Sequence, residues 1–122
     1  MAAQADFWGE IAPASIRTPV SLLREQASLL GKRTNYLLEA RVETSAAYGD
    51  FTHRLVLVAP ALSDYEYELL KIRHGIDLYP VFDAKTSKQM DDEDEFTEWL
   101  RERLSSPQTR RVVENLLAMA NS

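Results

Sequence analysis

The chain contains no cysteine. Disulfides, thiolate metal sites and cysteine nucleophiles are excluded at once, and the absence fits a reducing compartment. Glycine is scarce, with four in 122 residues, and none belongs to a phosphate-cradling loop. There are two histidines, without ligand-pair spacing, and neither H-E-x-x-H nor G-x-S-x-G occurs. With so few histidines and no thiolate, a structural zinc site has too few of its usual ligands. No apolar run approaches the roughly 20 residues of a membrane span. The opening "MAAQADFWGEIAPASIRTPV" lacks the basic start and apolar core of a secretory signal. The expected location is the cytoplasm, with no membrane association.

What is present describes an ordinary globular domain: 45% hydrophobic and 27% charged residues in a one-domain length. A chain of this size buries roughly two thirds of its unfolded surface and needs no staple. The net charge of −5 is unevenly placed. Residues 1–60 hold six acids and six Lys/Arg; residues 61–122 hold thirteen acids and eight Lys/Arg. An acidic chain without a basic stripe is a poor match to a phosphate backbone, so nucleic acid is not an expected partner.

Residues 1–17 read as an N-terminal arm whose large apolar groups include Phe7, Trp8 and Ile11, and residues 18–122 as a single domain. Thr18-Pro19 is an N-cap followed by proline at the first helical position. That helix is expected to reach about Leu30, with Gly31 closing it. "NYLLEARVETS" then changes to period two, "AAYGD" is a turn, and "FTHRLVLVAPAL" returns as a second strand. An even-length turn places Ala40 and Val42 on the same face as His53, Leu55 and Leu57, the register that buries more apolar surface. Leu55 to Val58 are apolar on both faces, so this strand is expected to be central.

"YEYELLKIRHGIDLYPV", residues 65–81, supports two readings. Ser63 and Glu66 have capping-box spacing for a helix; Tyr-Glu alternation and a His-Gly turn favour a hairpin. The hairpin is preferred, with Gly75 at a positive-φ turn position; in one register Arg73 lies opposite Asp77 and Ile72 opposite Leu78. Pro80 implies that the return strand is an edge or carries a bulge. "KTSKQ" reads as a loop. "MDDEDEFTEWLRERLSS" reads as a helix with acids at its positive end, and Ser106-Pro107 starts the last one. The expected fold is α+β: an N-terminal helix, an antiparallel meander of about four strands, and two C-terminal helices packed on one face.

Lys71, Arg73 and His74 are candidates for anion binding or, through His74, base catalysis; the alternative is that they decorate a hairpin tip. His53 lies near the core edge, within possible reach of Glu43. The run Asp91 to Glu95 is spread around a helix and does not converge on a cation. "FDAK" resembles the D-x-K element of metal-dependent nucleases of the PD-(D/E)xK type, with Asp83 and Lys85 in the matching places. The resemblance implies a small hydrolase taking a further carboxylate from Asp64, Asp77 or Glu25. The Pro-Asp pair of that pattern is missing.

No catalytic constellation, cofactor motif or metal set emerges. The leading expectation is a small acidic protein that acts by protein–protein interaction, as toxin-immunity proteins and secretion chaperones of similar size and charge do. Its contact residues are expected at Lys71, Arg73, His74, Phe7 and Trp8. The metal-dependent hydrolase is the alternative. A homodimer is expected from the two-faced second strand, the aromatic arm and the edge implied by Pro80.

Overall fold

The computed structural model describes residues 5–12 and 16–122. Thr18 opens the first helix as expected: its hydroxyl accepts the Ser21 N–H at 3.1 Å, and Pro19 fills the first helical position. Helix α1 spans Pro19–Arg33, one turn longer than anticipated. Gly31 lies inside it. The chain leaves the helix through Asn35 and Tyr36, both at positive φ (50° and 62°), and the Tyr36 N–H returns to the Gly31 carbonyl at 2.8 Å. The exit is therefore made by an asparagine–tyrosine pair and not by the glycine.

Five antiparallel strands follow in sequential order: β1 (Glu39–Ala47), β2 (Asp50–Ala59), β3 (Tyr65–His74), β4 (Val81–Asp83) and β5 (Gln89–Met90). Tyr48 and Gly49 make a two-residue turn, with φ of 55° and 83°, the twist that suits a tight hairpin. Its even length sets Ala40 opposite Leu57, Val42 opposite Leu55 and Thr44 opposite His53. The burial-favoured face is the observed one. Between β2 and β3 the register slips at Leu55/Val56, leaving Leu69 as the extra residue of a bulge. Leu69 and Leu70 both enter the core, which strict alternation would forbid.

Residues 65–74 are strand, but the preferred register after them is not the observed one. His74 pairs with Val81, Arg73 with Phe82 and Ile72 with Asp83, so six residues, 75–80, form the connection. Gly75 does not carry the positive φ; Leu78 does, at 67°. The Tyr79 hydroxyl donates to the Arg17 carbonyl at 3.0 Å, holding the loop over the start of α1, and pairing resumes at the fully buried Val81. Pro80 precedes β4 and creates neither an edge strand nor a bulge. The fifth strand lies partly in the stretch read as loop. There the Asp83 carboxylate accepts the Lys85 N–H and the Thr86 hydroxyl, turning the chain so that Met90 reaches the core.

Helix α2 (Glu93–Leu104) is capped by Asp92, whose carboxylate accepts the Glu95 N–H at 2.9 Å. Helix α3 (Pro107–Ala120) is capped by Ser106. The helices and one face of the sheet enclose a core built on Leu23, Leu38, Leu57, Ile72, Val81 and Phe96. The architecture is α+β, helix–meander–two helices.

The opposite face of the sheet carries charge. Arg41 on β1 bonds Glu66 on β3 at 2.8 Å, so this bridge passes over β2. Arg54 pairs with Glu43 on one side and Glu68 on the other. Beneath this lattice Val56 and Val58 are only 1% and 9% exposed. The two-faced apolar character of β2 therefore needs no second subunit to cover it, and that argument for a homodimer falls. The edge strands are β1 and β5, so the argument from Pro80 falls with it.

Candidate functional site

The structure separates the basic cluster of residues 71–74. Lys71 and Arg73 lie on the charged face, with the Arg73 guanidinium 5.5 Å from the Phe82 ring centre. His74 points the other way and is buried. Strand alternation alone forces this separation, so the three do not form one site and His74 is not a tip residue. Phe7 and Trp8 project from the arm, 93% and 81% exposed.

His74 instead meets His53. Their Nε2 atoms are 2.8 Å apart with ring centres 4.9 Å apart, and the Phe51 ring lies near-parallel to His74 with centres 5.5 Å apart. His53 Nδ1 lies 2.8 Å from the Thr44 hydroxyl, not beside Glu43, which pairs with Arg54. His74 Nδ1 lies 2.6 Å from the Gly75 carbonyl. A carbonyl only accepts, so His74 carries its proton on Nδ1 and offers the Nε2 lone pair. His53 must then donate from Nε2, and Thr44 must donate to His53 Nδ1. Every ring nitrogen of the two imidazoles thereby has a partner. Burial, then the neighbouring His74 and Arg24, lower the His53 pKa to about 4.

Thr44, His53 and His74 have the order of nucleophile, base and orienting group. A base with a pKa near 4 is poorly matched to neutral pH. The arrangement also satisfies two polar residues where the sheet end is buried, and this accounts for every contact in it.

The nuclease-like pair does not assemble. Both oxygens of Asp83 are engaged in its own turn, and Lys85 is exposed. Among the described residues no group of three or more His, Asp or Glu could hold a metal ion. The acidic run is similarly occupied locally: Glu95 accepts the Asp91 N–H, Asp92 caps the helix, and Asp91 accepts from the Gln89 side chain. No helix among the described residues is long and apolar enough to cross a membrane.

A concave feature lies among the three helices. It is a groove of about 610 Å³, within the ~300–1,000 Å³ common for ligand sites. Leu57 and Leu69 form part of its floor; Leu30 of α1, Leu104 of α2 and Val113 and Leu117 of α3 line its sides. It exists because α3 does not bury its whole apolar stripe. Of Val112, Val113, Leu116, Leu117 and Ala120, only Leu116 is buried. All the ionisable lining residues are cationic: Arg33, Arg101 and Arg110, with no carboxylate. In a chain with five more acids than bases, this is a local reversal of charge. Arg101 pairs with Glu98, whereas Arg33 and Arg110 have no ion-pair partner among the described residues.

Val113 and Leu117 belong to the apolar stripe that helical periodicity marks on this segment, but that pattern does not say how much of the stripe is covered. Arg33 lies 68 positions before Arg101, and Arg110 sits on the next helix, so the three line one groove only through helix packing. The His53–His74 contact was within reach of the sequence once the β2–β3 pairing was known. Comparison with protein-family models, with curated proteins and with solved structures gives no match to this chain.

Proposed function

We propose that the protein is a non-enzymatic binding module, acting in the cytoplasm, that holds an apolar, acid-flanked segment of another protein in the groove between its helices. The observation that carries this reading is the pairing of a leucine-lined cleft with an all-arginine set of charges on an otherwise acidic molecule. Apolar side chains would be desolvated on the leucines, and acids beside them would meet Arg33 and Arg110 at the mouth. Charge of this kind selects partners and register more than it adds affinity. The half-covered stripe of α3 supports the same reading, since Val112, Val113 and Leu117 have apolar surface left to bury.

A photo-crosslinking residue at Val113, introduced in the native cell, tests the proposal against the same residue at exposed Asn115 on the same helix. Val113 should capture a defined segment, rich in large apolar residues and acids, that Asn115 does not. Indistinguishable capture from the two positions would refute the groove as the contact surface.

A second reading rests on the Thr44–His53–His74 geometry, with Thr44 as a nucleophile and His53 as its base. Its test is a hydroxyl-directed fluorophosphonate followed by peptide mass spectrometry. Selective modification of Thr44, lost in His53→Gln, would favour a hydrolase; an unmodified Thr44 removes that reading.

A further inference from the structure

The described arm, residues 5–12, has the composition the groove would select. It carries Phe7, Trp8 and Ile11, which are 93%, 81% and 76% exposed. Its two charged residues, Asp6 and Glu10, are both acidic. The Trp8 N–H bonds the Asp6 carboxylate at 2.9 Å, a local turn that leaves both aromatic rings in water. Isolated exposed apolar residues are common, but adjacent phenylalanine and tryptophan at this exposure form a contact surface without a contact. The dimensions agree: eight extended residues reach about 26 Å, and the fifteen residues of α1 beside the groove are about 22 Å long.

The structure assigns the groove an occupant: the N-terminal arm of a second copy of this chain, inserted reciprocally to form a dimer. This deepens the proposed function and rests on the groove being a segment-binding surface. Phe7, Trp8 and Ile11 fill the leucine cleft, and Asp6 and Glu10 face Arg33 and Arg110. The chain's own arm departs at the far end of α1, where the Arg17 carbonyl takes the Tyr79 hydroxyl and its guanidinium pairs with Glu25. The described part of the arm leaves its aromatic pair exposed. Exchange about a twofold axis uses both arms and both grooves and closes the assembly, leaving no site for a third copy. In the dimer the arm also competes with any other protein for the groove, so dissociation is the step that makes the groove available.

The test uses the full chain. Light scattering after size exclusion should give a dimer for the wild type. Phe7→Ala/Trp8→Ala should give a monomer; both residues are solvent-exposed, so this variant keeps the fold. Leu117→Arg, checked for retained secondary structure by circular dichroism, should also be monomeric. A benzoyl-phenylalanine at position 8, in a mixture of isotopically light and heavy protein, should cross-link light to heavy chains through α1 and α3 peptides. A monomeric wild type, or cross-links confined to chains of one isotope, would overturn the exchange. The two ideas fail separately: Phe7→Ala/Trp8→Ala keeps the groove intact and should still capture a partner from Val113. If the wild type is monomeric while that capture persists, only the arm exchange is wrong. If the capture is also absent, the groove reading falls with it.

Discussion

Acidification should weaken the fold through the histidine pair, and the size of the effect follows from the structure. His53 has an ordinary pKa of 6.5 when unfolded and about 4 when folded. Between those values the unfolded chain binds a proton that the folded chain refuses, so stability rises with pH across the window. The contribution is fully present above pH 6.5 and is lost as pH falls towards 4. A separation of 2.5 units, 6.5 minus 4, corresponds to about 3 kcal/mol. Burial explains the refusal: His53 is 3% exposed, so its charged form would lose its water there, and His74 and Arg24 oppose the added charge. Urea titrations from pH 7.5 to 4, on the wild type and His53→Gln, isolate the effect, because the carboxylates contribute equally to both. The wild type should lose about 3 kcal/mol more than the variant. Parallel profiles would refute the reasoning, as would a His53 imidazole that titrates near 6.5 by proton NMR.

Other outcomes are equally open to measurement. Trp99, 8% exposed and stacked on Phe96 with ring centres 5.8 Å apart, should cost about 3–5 kcal/mol on replacement by alanine; equilibrium denaturation giving under about 1 would place it outside the core. Thr44→Val should cost about 1–2 kcal/mol by the same assay, since it leaves His53 Nδ1 without its donor. Gly49→Ala should cost about 1 kcal/mol or more because φ there is +83°. Gly75→Ala should be nearly neutral in thermal melts, because nothing lies within 4 Å of the new carbon and φ is not positive.

The fold was largely legible in the sequence because most of its signals are local. Thr18-Pro19 and Ser106-Pro107 each mark a helix start by side chain-to-backbone bonding that needs no tertiary partner. The face of β1 and β2 followed from which register buries more apolar surface, and the Tyr48-Gly49 turn has the parity that this requires. The failures came where distant residues intervene. The β3–β4 register depends on Tyr79 reaching Arg17, 62 positions away. His74 looked like a solvated base at a tip because its partner lies 21 positions earlier in the chain, in β2. The groove depends on how far α3 stands from α1, which no pattern within either helix encodes.

The charged lattice over β2 has a consequence for the life of the molecule outside its native state. Leu55-Val56-Leu57-Val58 is the kind of β-prone, uncharged stretch that seeds fibrils when identical copies stack. In the native sheet both neighbours shield it, and Arg41, Arg54, Glu66 and Glu68 roof its outer side. These ion pairs are partly exposed and weaken as salt accumulates around them. The same residues that contribute little to holding the monomer together thus stand where gatekeepers of this apolar tetrapeptide would. Losing Arg41 or Arg54 would leave the melting point nearly intact and shorten the shelf life in concentrated brine.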